Sequence, residues 1–311
     1  MVNQWTGTDI PDMTGKIAII TGANSGLGYE STLALAKKNA TIIMACRSID
    51  KAQSALDAIK QQVSGADAHI MTLDLGDLSS VRDFASTFKA QYERLDILLN
   101  NAGLMATPFR ETPDGFETQF GVNHLGHFAL TGLLLDRLLN TPASRVVNVS
   151  SGLHRNGTMN FDDLHMKSSY SGWNAYYQSK LANILFTRAL DKRLQGQDTI
   201  AVAAHPGYAS TNLQTKTGNA IQTFIMEKVM NPLMAQSAAK GALPQLYAAT
   251  AADVSGGNFF GPHFMRLRGY PVLEVPSDAA QNDDDAERLW QMSVEMTQVD
   301  YAMLKAAPTQ S

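Results

Sequence analysis

The stretch Thr21–Gly28 (TGANSGLG) combines residue types that are suited to binding phosphate. It follows an apolar run, Ile17–Ile20, that is typical of a buried strand, and it precedes a helical pattern over Tyr29–Lys38. Its glycines, spaced G-x-x-x-G-x-G, let the backbone approach a pyrophosphate, and the helix N-terminus presents unpaired N–H groups and a partial positive charge. A glycine turn of this kind can also join a strand to a helix without any ligand. Other residues must therefore support the phosphate interpretation.

Arg47 and Ser48 follow the second apolar run. In a protein that binds NAD, an Asp or Glu usually lies here and contacts the ribose hydroxyls. An acid would repel a 2′-phosphate, whereas an arginine can bind one through two parallel hydrogen bonds. These residues favour NADP(H) over NAD(H), and the alternative is an ordinary loop arginine. Asp74 ends the third apolar run, where it can accept a hydrogen bond from an adenine amino group or begin a turn.

A tyrosine and a lysine share one face of a predicted helix, since Tyr176 and Lys180 are four residues apart. The neighbouring Tyr177 does not satisfy this four-residue step. The pair by itself could be an ordinary surface pair. The serines Ser150 and Ser151, at the end of the fifth apolar run, and the glycine turn make a functional interpretation the stronger one.

Two further segments carry asparagines in apolar surroundings. The fourth apolar run continues into Asn100–Gly103 (NNAG), whose small residues let backbone carbonyls lie against a cofactor ribose. Asn123 lies inside a helical pattern, where asparagine is unfavourable because it competes for backbone hydrogen bonds. It is therefore either buried with partners or functional. The nearby His124 and His127 are interpreted as packed or half-exposed helix residues, since no other ligands give metal spacing and no metal site is predicted.

The elements that position these residues alternate between apolar strands and helices. The predicted strands are Lys16–Thr21, Thr41–Cys46, His69–Leu73, Leu95–Asn100, Arg145–Ser150 and Thr199–His205, with helices near 26–38, 50–63, 79–91, 115–139, 173–195 and 286–299. Continuous apolar strands between helices favour a parallel sheet covered on both faces. The predicted fold is therefore an α/β, doubly wound parallel sheet (Rossmann), with ligands at the carboxyl ends of the strands. No linker or repeat interrupts residues 1–311, so we predict a single domain.

Composition excludes several functional classes. The formal net charge of −4 argues against nucleic-acid binding, and a single cysteine, Cys46, excludes an intramolecular disulfide. Residues 1–15 lack the features of a signal peptide, and no apolar run has the length of a membrane span. The expected location is the cytoplasm.

Taken in order, these pieces resemble the short-chain dehydrogenase/reductase family over nearly the whole chain. The matching segments are TGANSGLG, NNAG, Asn123, the serine pair, Tyr-x-x-x-Lys and the His205-Pro206-Gly207 stretch. Within the family, ACRS, FGVNHLGHF and YQSKLANILFTRAL are most similar to the retinol dehydrogenase and WW-domain oxidoreductase branch. That branch is similar to light-dependent protochlorophyllide reductases, which carry a cysteine two residues after the lysine. Here Ala182 stands at that position, so the photochemical reaction is not predicted.

The resemblance implies hydride transfer between a nicotinamide and a carbonyl or alcohol carbon. It assigns Tyr176 as the acid/base, with Lys180 lowering the pKa of its phenol and holding the nicotinamide ribose. Ser151, the second of the pair, would donate a hydrogen bond to the carbonyl oxygen, and Asn123 would hold a water for proton relay. The cofactor-binding residues it implies are Gly22, Asn24, Ser25, Gly26, Leu27, Gly28, Arg47, Ser48, Asp74, Leu75, Asn101, Ala102, Gly103, Tyr176, Lys180, Pro206 and Gly207.

The substrate side is less specific. A Met-rich stretch at about 213–234 is either a helical substrate lid or a helix packed on the body, and its apolar side chains suit an apolar carbonyl compound that is retinal-, steroid- or aldehyde/ketone-like. The alternative function is a catalytically silent NADP(H)-binding sensor or regulatory protein. A homodimer or tetramer is expected only by analogy with relatives.

Overall fold

A computed structural model describes residues 4–208 and 236–304 of the chain. Its strands are β1 Ile17–Thr21, β2 Thr41–Cys46, β3 Ala68–Thr72, β4 Ile97–Asn100, β5 Arg145–Val149, β6 Ile200–Ala204, β7 Phe259–Phe264 and β8 Arg268–Leu273. Its helices are α1 Gly26–Ala36, α2 Ile49–Gln62, α3 Leu78–Gln91, α4 Thr118–Phe120, α5 Gly126–Leu133, α6 Leu135–Leu139, α7 Gly172–Arg193, α8 Ala238–Gly241, α9 Leu243–Thr250 and α10 Asp283–Thr297. The stretch 213–234, interpreted from sequence as a lid or a packed helix, lies outside the described residues.

The strands form one eight-stranded sheet in the order β3-β2-β1-β4-β5-β6-β7-β8. All neighbours are parallel except β7 and β8, which pair antiparallel. The chain changes direction across the sheet between β1 and β4, the point where open α/β sheets bind ligands. The prediction of a doubly wound α/β sheet is therefore confirmed.

Both faces of the sheet are covered. One apolar core joins the sheet to α3, α5, α7 and α10, and the other joins it to α1, α2 and α9. Residues at successive positions of one strand point to opposite faces, so strands buried on both sides must be apolar throughout. In β1, residues 17–20 are all apolar, and four of the five residues of the strand are buried.

Two features departed from the sequence prediction. The strands β7 and β8 were not predicted, because their sequences FFGPHF and RGYPVL carry glycine and proline, which interrupt an ordinary strand pattern. The helix predicted near 115–139 is broken into α4, α5 and α6, with a π-helical turn at Gly121–Leu125. Such turns are rare and frequently lie at functional sites, and this one contains Asn123.

Candidate active site

The glycine turn between β1 and α1 is built for close backbone approach. Gly22 has a φ of +67°, in the left-handed region that glycine adopts readily. A Cβ on Gly28 would lie 2.3 Å from the Gly22 carbonyl oxygen, so no larger residue fits there without moving backbone. Ser25, the N-cap of α1, makes no side-chain hydrogen bond to the first turn. The N-terminus of α1 therefore has the geometry of an anion site.

A cavity of about 820 Å³ extends from this turn along the carboxyl ends of the strands. Its walls include eleven of the predicted cofactor residues, namely Gly22, Asn24, Ser25, Gly26, Leu27, Arg47, Asp74, Leu75, Asn101, Ala102 and Gly103. Ser48, Gly28, Pro206, Gly207 and the four predicted catalytic residues are not among its lining residues. The size and the glycine cradle fit a dinucleotide with its pyrophosphate on α1.

The sequence analysis missed several lining residues, including Tyr29, Lys51, Ser54, Leu104, Met105, Thr107 and Val122. Lys51 was recoverable, because it lies four residues after Arg47 in the first turn of α2 and adds a second cation to the same end of the cavity. The Arg47 guanidinium is largely exposed, and its Nη1 lies 3.8 Å from Asp74 Oδ2. Ser48 is the N-cap of α2 and its hydroxyl makes no cap hydrogen bond.

A buried hydroxyl ties the asparagine loop to β1. Thr21 Oγ1 accepts hydrogen bonds from the backbone N–H groups of Asn101 and Ala102, both at 2.9 Å, and lies 2.9 Å from His127 Nε2. The Asn101 side chain also donates to the Thr21 carbonyl at 2.8 Å. These bonds hold the loop after β4 against the glycine turn, and its contact with a cofactor ribose stays a prediction.

Asn123 is fully buried and all of its side-chain polar atoms have partners. Its Oδ1 accepts from Leu104 N at 2.7 Å, and its Nδ2 donates to the Leu104 carbonyl and to Ser179 Oγ, both at 2.9 Å. Its own carbonyl lies 3.1 Å from His127 Nδ1. Asn123 therefore holds the backbone of the cavity wall, and its role in carrying a water stays a prediction.

Tyr176 and Lys180 are buried on one face of α7, beside the end of β5. The Lys180 ammonium donates to the Val149 carbonyl at 3.0 Å and lies 6.0 Å from the centroid of the Tyr176 ring. It also lies 3.3 Å from the position that a Cβ on Gly103 would take, so the ammonium is next to a residue that lines the cavity. Ser151 follows β5 as the N-cap of a 3-10 turn, Gly152–Asn156, and its hydroxyl accepts from Leu153 N at 3.2 Å. The structure thus brings the three predicted groups together.

Burial controls the protonation of these groups. Desolvation lowers the pKa of Lys180 to about 8. Desolvation also raises the pKa of Tyr176, and the Ser151 hydroxyl opposes this effect only in part. In the protein by itself, removal of water from the phenolate outweighs the neighbouring groups. The expectation that Lys180, together with the nicotinamide charge, lowers the pKa of the tyrosine stays a prediction.

The His205-Pro206-Gly207 stretch is fixed to the hairpin of β7 and β8. Gly207 has a φ of +67°, and a Cβ there would lie 2.3 Å from the Leu267 carbonyl oxygen. The Pro206 carbonyl accepts from Gln236 Nε2 at 2.7 Å. This stretch follows β6 at the same edge of the sheet as the other predicted site residues.

Comparison with known proteins gives the family of this chain. The family model "short chain dehydrogenase" matches residues 16–222. The chain belongs to the short-chain dehydrogenase family. Mouse retinol dehydrogenase 12 is 42% identical over 291 residues, covering 94% of this chain and 88% of the relative. Human retinol dehydrogenase 13 is 41% identical over 301 residues, with the same two coverages.

Solved structures share the fold of this chain. An uncharacterized protein from Mycobacterium paratuberculosis superposes with a TM-score of 0.80 at 41% identity, covering 96% of this chain and 99% of its own. A short-chain dehydrogenase from Shigella flexneri, solved with NADP, has a TM-score of 0.65 at 23% identity and shares the fold, over 81% of this chain and 98% of its own. The resemblance to the retinol dehydrogenase branch of the short-chain dehydrogenases is therefore confirmed, and the chain is an oxidoreductase of that family.

Within residues 4–208 and 236–304, no group of three or more histidine, cysteine, aspartate or glutamate side chains is arranged to hold a metal ion. Over the same residues, no helix is both long enough and apolar enough to pass through a bilayer.

Proposed function

We propose that this short-chain dehydrogenase transfers a hydride between NADP(H) and the carbonyl or alcohol carbon of an apolar substrate. The observation that carries the proposal is the burial of Tyr176 and Lys180 on one face of α7, with Lys180 beside Gly103, a lining residue of the glycine-turn cavity. When bound, the cofactor supplies or accepts the hydride. The protein supplies position, a proton and a hydrogen-bond donor for the substrate oxygen.

Tyr176 is the group that gives or takes the proton. Its phenol is protonated at pH 7 and burial raises its pKa further, which suits a donor to a carbonyl oxygen in the reductive direction. The buried Lys180 ammonium, 6.0 Å from the phenol ring, favours the phenolate that forms when the proton leaves.

Ser151 binds the substrate oxygen. Its Oγ accepts the Leu153 N–H, so the hydroxyl hydrogen is available to a second acceptor. A donor placed there stabilises the negative charge that grows on the substrate oxygen in the transition state. Ser151 and Tyr176 then contact the same oxygen, one as a hydrogen-bond donor and the other as the acid.

The cofactor preference is supported by positive charge near the end of the cavity. Arg47 and Lys51 line it, and the free Ser48 hydroxyl begins the helix that carries Lys51. Asp74 lies 3.8 Å from Arg47 and offsets part of its charge. Lys51 restores a net positive charge where a 2′-phosphate would lie, and we therefore keep the preference for NADP(H) over NAD(H).

An apolar substrate is supported by exposed aromatic surface near Tyr176. Trp173 is 37% exposed, which is unusual for tryptophan, and its ring lies 6.4 Å from the Tyr176 ring and 5.9 Å from the Tyr177 ring. Leu104 and Met105 continue an apolar wall on the cavity side. The names of the curated relatives, retinol dehydrogenases, agree with an apolar alcohol or aldehyde. The cytoplasmic location and the dimer or tetramer stay predictions.

Turnover measurements with a matched pair of tyrosine variants test the proposal. NADPH consumption is followed with a panel of apolar aldehydes and ketones. We expect Tyr176→Phe to abolish turnover while NADPH still binds, because the ring keeps its packing and loses the proton. Tyr177→Phe should remain substantially active. Equal loss in both variants, or no turnover of any panel member by the wild type, would contradict the proposal.

A further inference from the structure

His154 makes two hydrogen bonds that fix its own protonation and the position of Ser151. Its Nε2 receives the backbone N–H of Ser277 at 3.1 Å, and its Nδ1 lies 2.7 Å from the Ser151 carbonyl oxygen. An N–H group can only donate, so Nε2 is the accepting nitrogen and Nδ1 carries the hydrogen. The imidazole is therefore neutral and donates to Ser151. The side chain is fully buried, and burial lowers its pKa to about 4.

The Ser151 carbonyl is held by the same residue a second time. The backbone N–H of His154 donates to it at 3.1 Å, so His154 supplies both of its hydrogen bonds. The Ser151 hydroxyl accepts the Leu153 N–H of the same short turn. The bonds from His154 to the Ser151 carbonyl hold the backbone of this turn, and with it the position of the hydroxyl's partner.

The segment on the far side of His154 is itself anchored. The Arg155 guanidinium donates to the Val275 carbonyl and lies 3.8 Å from the buried Glu274 carboxylate. The other Glu274 oxygen lies 3.1 Å from His205 Nε2. The segment Glu274–Ser277 is therefore attached to the 3-10 turn and to the end of β6, and it gives His154 a fixed partner.

We propose that His154 is a positioning residue for the reaction, holding Ser151 in its hydrogen-bonding orientation from the segment Glu274–Ser277. The proposal rests on the proposed function of Ser151. It adds that His154, which does not line the cavity, contributes to the catalytic rate by positioning Ser151. The glycine turn lies between β1 and α1, Arg47 in the β2–α2 connection and Lys51 in the first turn of α2. None of these contacts His154, so we expect cofactor binding not to depend on it.

The test combines His154 variants with Ser151→Ala in a double-mutant cycle. His154→Phe keeps a ring beside Phe259 and removes the two side-chain hydrogen bonds, to the Ser151 carbonyl and from the Ser277 N–H. We expect it to lower kcat about tenfold, the scale of one lost hydrogen bond, with the Kd for NADPH unchanged. In a Ser151→Ala background, measured in single turnovers with excess enzyme, the same change should have no further effect.

A second variant and a control keep the result interpretable. His154→Asn retains a short N–H donor toward Ser151, so it should recover part of the rate that His154→Phe loses. His165 is a half-buried histidine that also accepts a backbone N–H, from Glu117, but lies outside the site, so His165→Phe should leave kcat unchanged. An unchanged kcat in His154→Phe, or an equal loss with and without Ser151, would overturn the proposal. If Ser151→Ala itself keeps full turnover, the role proposed for Ser151 fails as well.

Discussion

At the residue scale, the environment of each side chain decides its chemistry. Lys180 and Tyr176 are four positions apart in the sequence. Burial lowers the pKa of Lys180 and raises the pKa of Tyr176, and both shifts favour the neutral form of the side chain. The same effect acts on three buried histidines, His124, His127 and His154, whose pKa values fall to about 3, about 4 and about 4. These histidines are neutral at pH 7 and must gain a proton when the chain unfolds in acid.

His124 gives a pH-dependent stability that can be measured. Its folded pKa of about 3 is below the ordinary histidine value of 6.5, so the unfolded chain binds more protons between these pH values. Its contribution is present above about pH 6.5 and is lost as the pH falls. Between pH 7 and pH 5 this amounts to about 2 kcal/mol of unfolding free energy. We expect His124→Phe to reduce the pH 7-to-5 loss by about that amount in urea unfolding.

The control for that measurement is a neighbour without a titrating group. His124 packs against Phe120, with ring centroids 5.2 Å apart. Phe120→Leu should lower stability at both pH values equally. If His124→Phe and the wild type lose the same stability between pH 7 and pH 5, His124 does not stay neutral in the folded protein.

Arg47 and Lys51 predict the cofactor preference. A hydrogen bond to a charged group contributes roughly 1.5–3 kcal/mol, and about 1.4 kcal/mol corresponds to tenfold, so we expect a preference for NADP(H) of about tenfold to more than a hundredfold. Arg47→Asp should shift the preference toward NAD(H), and Lys51→Ala should weaken it less. The measurement is the ratio of kcat/KM with the two cofactors. Lys60→Ala, at the far end of the same helix, is the matched control, and a ratio unmoved by Arg47→Asp would show an ordinary loop arginine.

At the element scale, the strand–turn–helix unit Ile17–Ala36 depends on glycine, because a side chain at Gly28 would collide with the backbone of the turn. The hypothetical Cβ on Gly28 meets the Gly22 carbonyl oxygen at 2.3 Å and Asn101 Nδ2 at 2.8 Å. The first contact is with backbone, so only a shift of the turn can relieve it. The same turn carries the N–H groups expected to bind phosphate.

Gly28→Ala should therefore weaken NADPH binding by at least about tenfold and lower the unfolding free energy by about 1–3 kcal/mol through overpacking. Fluorescence titration of NADPH measures the first effect and urea unfolding the second. Gly7→Ala is the control, because a Cβ on Gly7 meets nothing within 4 Å. Normal NADPH affinity in Gly28→Ala would show that the turn does not hold the cofactor.

At the scale of the whole molecule, an aromatic cluster joins the helices behind the site. Trp290 of α10 lies 5.2 Å from Phe128 of α5, 6.0 Å from Phe186 of α7 and 4.6 Å from Tyr301, measured between ring centroids. The Arg193 guanidinium covers its ring at 4.1 Å. The cluster fixes the C-terminal half of α7, whose N-terminal half carries Tyr176 and Lys180.

Trp290→Ala should cost about 3–5 kcal/mol of unfolding free energy, because it removes a buried ring and leaves a cavity. We expect the melting temperature to fall by about 5–8 °C. At a temperature where the variant is fully folded, kcat should stay within about twofold of the wild type. Met303 is 51% exposed, so Met303→Ala should change neither the melting temperature nor kcat. A large loss of kcat in folded Trp290→Ala would mean that this cluster also sets the geometry of the site.

The sequence alone determined the features that depend on local spacing. Periodicity and residue type over fewer than ten positions predict the glycine turn, the first six strands along the chain, and the shared face of Tyr176 and Lys180. The alternation of strands and helices along the chain predicts the parallel sheet. The tertiary structure decided what depends on distant contacts. It placed β7 and β8 on the sheet, brought Lys51 to the cavity, buried Tyr176 so that its pKa rises, and joined His154 to Ser277, 123 residues away. Burial and long-range hydrogen bonds are properties of the packed chain, because no short segment contains both partners.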